Sequence, residues 1–258
     1  MSDRPYDLTG QICLITGGNG GIGLGMAEGM VLAGASVAIC GRNADKTGAA
    51  VEHLRSLADD GARVEGFRCD VAIERDVIET VATTVDVFGR LDSVVANAGV
   101  SGDAALLDMS LDQWRAVTSV NLDGVFVTLR EAARQMVEQG GGGALVAVSS
   151  TSSEHGAPRQ AHYAASKAGV LALVRSMAVG FARHRIRANS LVPGWTLTDL
   201  TAAGYQYDKF RENTIGRTPV RRWGTPADFR AVAPFLCDPR LEFHTGDEVT
   251  IDGGYTVY

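Results

Sequence analysis

Seven short runs rich in β-branched residues recur along the chain at helix-length intervals: Ile12–Ile15, Ser36–Cys40, Arg63–Phe67, Ser93–Ala96, Ala144–Val148, Arg187–Val192 and Glu248–Ile251. Runs of strand length that stay largely apolar, rather than alternating with polar residues, are read as strands buried on both faces. The segments between them are long enough to return as helices. The pattern therefore predicts an α/β fold, a doubly wound parallel sheet with helices on both faces. At 258 residues and 45% hydrophobic content the chain can fill the core of one such domain, and no repeat or low-complexity tract divides it. Gly140 to Gly143 read as a loop entering the fifth strand rather than as a linker, so residues 1–258 are expected to form a single domain.

Two of the intervening helices are apolar around too much of their circumference for a helix packed on one side only. In the first, Val125, Phe126, Leu129, Ala132, Ala133, Met136 and Val137 spread widely; in the second, Ala165, Ala168, Val170, Leu171, Leu173, Val174, Met177, Ala178 and Phe181 do the same. One face must lie on the sheet. The remainder is expected to be covered by another subunit, with deep burial in the same chain as the alternative.

The formal net charge of −6 argues against broad contact with nucleic acid or an anionic membrane, both of which need a basic face. Met1–Gly10 lacks the apolar core of a signal peptide, and no stretch is read as approaching the ~18 apolar residues of a membrane span. A cytoplasmic location is expected. Cys13, Cys40, Cys69 and Cys237 are far apart and show no metal-ligand spacing, so they read as buried free thiols and no metal site is expected.

A phosphate cradle is legible after the first strand, in Thr16-Gly17-Gly18-Asn19-Gly20-Gly21-Ile22-Gly23, ahead of the helical pattern Leu24–Leu32. Missing side chains let the backbone approach a dinucleotide diphosphate at a helix N-terminus, where free N–H groups and the dipole favour negative charge. The glycines fit two registers, Gly18-x-Gly20-x-x-Gly23 or Thr16-Gly17-x-x-x-Gly21-x-Gly23. After the second strand, a dinucleotide fold that prefers NAD usually places an acidic residue for the ribose 2′-hydroxyl. Here Gly41-Arg42-Asn43 occupy that turn, and Arg42 could hold a 2′-phosphate bidentately. NADP(H) is favoured on this reading, and Asp45 keeps NAD(H) possible.

Downstream, Tyr163-Ala-Ala-Ser-Lys167 sets a phenol and an amine one helical turn apart. A phenol titrating near ~10 is a poor acid–base catalyst at neutral pH unless a cation stabilises its phenolate, which an i,i+4 lysine can supply. Together with the cradle, the pair points to hydride transfer coupled to proton transfer by tyrosine.

At this point the chain resembles the short-chain dehydrogenase/reductase family over nearly its whole length. The motifs match in order: Thr16-Gly17-x-x-x-Gly21-Ile22-Gly23, Cys69-Asp70-Val71, Asn97-Ala98-Gly99, Asn121, Ser150, Tyr163-x-x-x-Lys167, Pro193-Gly194 and Asp252-Gly253-Gly254. The resemblance implies a Rossmann-type fold and an NAD(P)(H)-dependent oxidoreductase interconverting a secondary alcohol and a ketone. It makes Tyr163 the acid or base, Lys167 the group that lowers its pKa and holds the nicotinamide ribose, and Ser150, rather than Ser149, the second donor to the substrate oxygen. Asn121 would complete a water-linked proton relay; taken alone it could equally cap the following helix.

For the cofactor, the resemblance brings in Gly17, Asn19, Gly20, Gly21, Ile22 and Gly23 at the cradle, Arg42 and Asn43 at the second strand, and Asp70 and Val71 at the adenine. Asn97, Ala98 and Gly99 would lie beneath the central ribose, and Pro193, Gly194, Thr196 and Thr198 would hold the carboxamide. Thr196 departs from the aliphatic residue common there. The family commonly pairs the two apolar helices across subunits, so a homotetramer is expected, with Tyr255–Tyr258 at the second interface.

Substrate choice rests on loops that differ between members. The expected lining is Ser101, Ser152, His155, Gln160 and Trp195, with Tyr205 from a flap at about 199–217; His155 and Arg159 could meet an anionic group. The stretch around Tyr163 is similar to 3-oxoacyl-carrier-protein reductases, yet recurs in sugar and xenobiotic alcohol dehydrogenases. An acidic carrier protein would need a basic patch, for which Arg130, Arg134, Arg221 and Arg222 are candidates. The alternative function is a catalytically silent nicotinamide-binding sensor. A serine hydrolase would need a Gly-x-Ser-x-Gly elbow, which the chain lacks.

Overall fold

In the computed structural model, which describes residues 6–59 and 61–258, each of the seven apolar runs is a strand. Met1–Pro5, the start of the segment read as lacking a signal peptide, lie outside the described residues. The strands are β1 (Ile12–Thr16), β2 (Ser36–Gly41), β3 (Val64–Arg68), β4 (Ser93–Ala96), β5 (Gly143–Val148), β6 (Ile186–Pro193) and β7 (Glu248–Ile251). They pair in the order β3-β2-β1-β4-β5-β6-β7, every pair parallel. Between them run α1 (Gly21–Leu32), α2 (Ala44–Arg55), α3 (Glu74–Phe88), α4 (Leu111–Thr118), α5 (Gly124–Gln139) and α6 (Ala161–Phe181). Three helices follow β6: α7 (Ala202–Gln206), α8 (Asp208–Arg217) and α9 (Val232–Cys237). This is a doubly wound Rossmann-type sheet whose strand order reverses between β1 and β4, the point where a crevice opens at the strand carboxyl ends.

Each face of the sheet carries its own apolar cluster. Met26, Met30 and Val31 of α1 pack with Ile15, Val37 and Ile39 on one side, while Leu129 and Met136 of α5 pack with Val94, Leu145 and Val174 of α6 on the other. Close packing dictates some glycines. At Gly143, which already belongs to β5 rather than to the preceding loop, a Cβ would fall 2.3 Å from Met136 Sδ.

The wide apolar arcs of α5 and α6 are buried within the chain to a greater extent than the sequence reading allotted to it. Val125, Leu129, Ala132, Ala133 and Met136 are buried, as are Val170, Leu171, Val174, Met177 and Ala178. The exposed remainder is a narrower strip: Phe126 and Val137 on α5, and Ala165, Ala168 and Val179 on α6. Helix α6 also corrects the expectation that no stretch approaches a membrane span, since Ala161–His184 is long and apolar enough by composition. The physical reason lies in its packing: its buried side chains join the sheet cluster, and its first turns carry Tyr163 and Lys167 under the crevice.

One buried cation ties the last part of the chain to the sheet. Arg187 of β6, only 1% exposed, donates to the carbonyls of Phe235, Leu236, Asp238 and His244 at 2.8–3.0 Å and bonds His244 Nδ1 at 2.7 Å. His244 Nε2 in turn bonds Asp247 at 2.9 Å. These carbonyls end α9 and shape the approach to β7, where no continuing helix could satisfy them.

Candidate active site

The crevice between β1 and β4 opens into a cleft of about 760 Å³, lined by Gly17, Asn19, Gly20, Gly21, Ile22, Arg42, Asp70, Val71, Asn97, Ala98 and Gly99. Ser101, Ser150, Ser152, Gln160, Tyr163, Lys167, Pro193, Gly194, Trp195, Thr196 and Thr198 also line it, Thr198 against Gly21 of the glycine turn. The turn after β1 favours the second glycine register. Gly17 and Gly21 take the left-handed conformation, with φ of 64° and 53°, which a side chain would strain. Gly23 does not line the cleft as expected: a Cβ there would fall 2.5 Å from Gly17 O and 2.4 Å from Asn97 Nδ2, so its role is close packing beneath the turn. Gly18 packs against Ile39 in the same way.

Around the second strand the structure redistributes the expected contacts. Arg42 stands exposed on the cleft wall. Asn43 does not line the cleft, because its carboxamide caps α2 by accepting from Lys46 N–H at 2.9 Å; Asp45, in the first turn of that helix, is likewise outside the lining. Lys46, one helical turn beyond Arg42, does line it and was missed. Its distance from Arg42 in the sequence and the Asn43 cap were the signals that could have placed it. Asn19 is held over Gly41 by a 2.9 Å bond to Thr47 Oγ1. Asp70 is both a turn former, accepting from Ala72 N–H at 3.1 Å, and part of the cleft wall.

Asn97 sews the ends of β4 and β1 together, its Nδ2 donating to the carbonyls of Thr16 and Gly17 at 2.9 and 3.1 Å. Asn121 is fully buried in a π-helical turn, Ser119–Asp123, that joins α4 to α5. Its carboxamide clamps both backbone polar groups of Val100 at 2.8 Å, which answers the capping alternative: it bonds the loop after β4 rather than a helix end. Gly99 lies between Asn121 and the lysine, since a Cβ there would be 3.3 Å from Asn121 Oδ1 and 3.6 Å from Lys167 Nζ.

Ser149 and Ser150 are separated by what they bond. Ser149 is buried and donates to Lys167 O at 2.9 Å within the core, whereas the Ser150 side chain reaches Tyr163. Ser150 Oγ also accepts from Ser152 N–H at 3.1 Å, which leaves its own proton free to point at the phenol. Tyr163 N–H, in the unsatisfied first turn of α6, donates to Nδ1 of the buried His162 at 3.0 Å.

The electrostatics differ from the expectation that Lys167 depresses the tyrosine. Burial raises the Tyr163 phenol above its ordinary value, and the Ser150 hydrogen bond only partly opposes this. Lys167, 3% exposed, donates to Val148 O at 2.8 Å with its Nζ 5.7 Å from the Tyr163 ring centroid. Burial lowers its own pKa to about 8. Burial of the two groups disfavours the charged form of each, raising the phenol and lowering the amine.

At the substrate end, Ser101, Ser152, Gln160 and Trp195 line the cleft, with Gln160 Nε2 bonding Ser101 Oγ at 3.3 Å. His155 and Tyr205 do not. His155 lies tilted against Tyr255, 6.3 Å between ring centroids, and Tyr205 turns its edge to Trp223 at 5.0 Å and its face to Arg211. Arg159 is bonded bidentately to Asp103 at 2.6 and 2.9 Å and does not line the cleft. Leu200, Gly204 and Phe210 of the flap line the cleft instead; Phe210 meets Trp195 edge-on at 5.0 Å, and Trp195 stacks on Trp223 at 5.2 Å. The hydroxyl of Thr196, unusual at its position, donates to Gly194 O at 3.0 Å and is thereby satisfied in its buried place.

A glycine-lined crevice at the reversal of a parallel sheet, ending in a serine, tyrosine and lysine, defines a dinucleotide-dependent oxidoreductase. The comparisons agree. A family model described as Enoyl-(Acyl carrier protein) reductase matches residues 17–256. An L-rhamnose 1-dehydrogenase (NAD(P)(+)) from a Sphingomonas species is 38% identical over 97% of this chain and 98% of its own. A 3-oxoacyl-acyl-carrier-protein reductase FabG from Chlamydia pneumoniae is 34% identical over 96% of this chain and 98% of its own. A solved gluconate 5-dehydrogenase from Burkholderia cenocepacia, in complex with NADP and tartrate, superposes with a TM-score of 0.91 at 34% identity, covering 98% of each chain. The chain belongs to the short-chain dehydrogenase/reductase family. It is an NAD(P)-dependent oxidoreductase acting on CH–OH groups, and the silent-sensor alternative is set aside.

Proposed function

We propose that the protein interconverts a small polyhydroxylated secondary alcohol, of the sugar type, and its ketone, with Tyr163 as the acid or base. The observation that carries this reading is the convergence of Ser150, Tyr163 and Lys167 on one wall of the dinucleotide crevice. The nicotinamide, when bound, accepts or supplies the hydride. Tyr163 takes the alcohol proton during oxidation or returns it during reduction, at its phenolic oxygen. Ser150 donates to the same substrate oxygen and stabilises the charge that develops there. Lys167, with a pKa of about 8, is mainly protonated at neutral pH and would hold the ribose. Asn121, clamped on Val100 beside the lysine, would fix the water that passes protons to it.

The glycines at the turn, Asn19, Arg42, Asp70, Val71 and the Asn97–Gly99 turn would hold the adenosine and diphosphate, and Pro193, Gly194, Thr196 and Thr198 the carboxamide. A polyol is favoured by the hydroxyl and amide groups of Ser101, Ser152 and Gln160, which share the cleft lining with Trp195. The names of the sugar dehydrogenases among its relatives agree with this. Docking of a carrier protein is less well supported, because Arg130 pairs with Glu74 and Glu131, Arg134 with Glu131, Arg222 with Asp228, and Arg221 bonds Gly216 O. Turnover of a panel of aldoses, sugar acids and acyl ketones, followed at the reduced-nicotinamide absorbance with both cofactors, tests the reading; reaction with none would remove it.

NADP(H) is proposed as the preferred cofactor, on Arg42 in the cleft wall and the absence of a lining carboxylate from the turn after β2. Arg42→Ala should weaken NADP(H) selectively, by about tenfold for a lost charge-assisted bond, and leave NAD(H) unchanged. Equal loss with both, measured as kcat/KM for each cofactor, would count against the assignment.

A single cytoplasmic domain assembled as a homotetramer completes the proposal. The exposed strip on α5 and α6 would meet its two-fold mate, while Val257 and Tyr258, 88% and 73% exposed, would serve the second interface. Light scattering should give four times the chain mass at micromolar concentration; a monomer there would refute it.

A further inference from the structure

One ion pair crosses the mouth of the cleft and has no part in the roles above. Lys46, in the first turn of α2, donates from Nζ to Asp199 Oδ2 at 2.6 Å, and Asp199 is the residue at which the substrate flap begins. Both side chains line the cleft. The ammonium stands over the phosphate cradle, because a Cβ on Gly20, the residue that caps α1, would fall 2.7 Å from Lys46 Nζ. The first turn of α1 holds no acidic residue, so the positive end of that helix and the lysine face the same space. Asp199 supplies the opposing charge.

That pair is weakly held. The side chains are 43% and 89% exposed, and an ion pair between hydrated groups contributes little. A phosphoryl group offers the ammonium several acceptor oxygens at once, and the same oxygens can take backbone N–H groups from the glycine turn, which a tethered carboxylate on the opposite wall cannot do.

We propose that Lys46 is a phosphate ligand for the dinucleotide and that Asp199 is the anion it exchanges: the ammonium leaves the carboxylate for a phosphoryl oxygen, and the flap loses its tie to α2. The proposal rests on the cofactor site described above. It makes Lys46 and Asp199 opposite in sign. Removing the lysine should weaken dinucleotide binding, whereas removing the aspartate's charge should strengthen it, since Lys46 then has no partner to give up.

The test is equilibrium binding of NADPH and NADH, by fluorescence titration, to the wild type, Lys46→Ala and Asp199→Asn. Both positions are exposed helix or loop sites whose replacement leaves the fold intact. Lys46→Ala should raise Kd about tenfold or more, the usual effect of a lost charge-assisted bond, and Asp199→Asn should lower it about two- to threefold. Equal loss with both dinucleotides places the contact on the diphosphate, and loss confined to NADPH places it on the 2′-phosphate; either supports the proposal. Unchanged binding in Lys46→Ala, or weaker binding in Asp199→Asn, overturns it. Wild-type protein that binds neither dinucleotide would overturn the cofactor site itself.

Discussion

Tyr163→Phe is expected to lower turnover by about 10²–10⁴-fold while dinucleotide binding changes little, because the substitution keeps the ring and removes the one atom at that place able to exchange a proton. The hydroxyl accepts the Ser150 bond, so its loss also frees Ser150 to bond elsewhere, and the rate loss should exceed that of Ser150→Ala. A purely structural tyrosine would behave differently, with a modest stability loss and intact turnover. Retention of more than about a tenth of wild-type turnover in the folded variant would refute the role, since that falls well short of the loss of a proton-transfer group. Alcohol oxidation by the wild type should speed up as pH rises, because the burial-raised phenol must first lose its proton. Lys167→Ala should damage both turnover and dinucleotide binding.

The largest effect on stability is expected at Arg187. Arg187→Met keeps the length of the buried stem but strips the carbonyls of Phe235, Leu236, Asp238 and His244 of their shared donor. Breaking such a buried, hydrogen-bonded charge costs about 3–5 kcal/mol. For a domain of this size that corresponds to a drop in Tm of roughly 10 °C. Thermal unfolding followed by circular dichroism measures it, and a shift below about 2 °C would mean that the carbonyls find other partners. The site is remote from the cleft, so turnover of the folded protein should persist, which separates this variant from Tyr163→Phe.

Much of the site was legible before any coordinates, because glycines with left-handed backbone and an i,i+4 tyrosine–lysine pair are local requirements. Tyr163 and Lys167 could be named from spacing alone, whereas the glycines fitted two registers until the left-handed backbone at Gly17 and Gly21 favoured one. Ser150 could be preferred to Ser149 only by resemblance; the structure gives the physical reason, since the Ser149 hydroxyl is spent on Lys167 O. The misplaced residues share a cause. Asn43, His155 and Tyr205 each stand in a plausible stretch of sequence, but a helix cap, an aromatic contact with Tyr255, and an edge-on contact with Trp223 under the Arg211 guanidinium direct their side chains away from the cleft.

By itself the sequence determined the local and repetitive parts of this protein. It determined the inner strands, because parallel strands buried on both faces must be apolar throughout, as the partly exposed β3 and β7 at the sheet edges need not be, and where the backbone must bend close to a phosphate, because only glycine allows it. It also determined the helical turn that separates phenol from amine. The tertiary structure alone decided which side chains reach the cleft. Lys46 meets Asp199 across 153 positions of chain, Asn121 grips Val100, and Arg187 collects carbonyls from a segment some fifty residues away. Such contacts depend on how the crossovers bring distant loops over one sheet edge, and on which polar groups burial leaves in need of a partner. Even the charge state of the pair on α6 belongs to that second category, since desolvation of Tyr163 and Lys167 is a property of the packed pocket and not of their spacing.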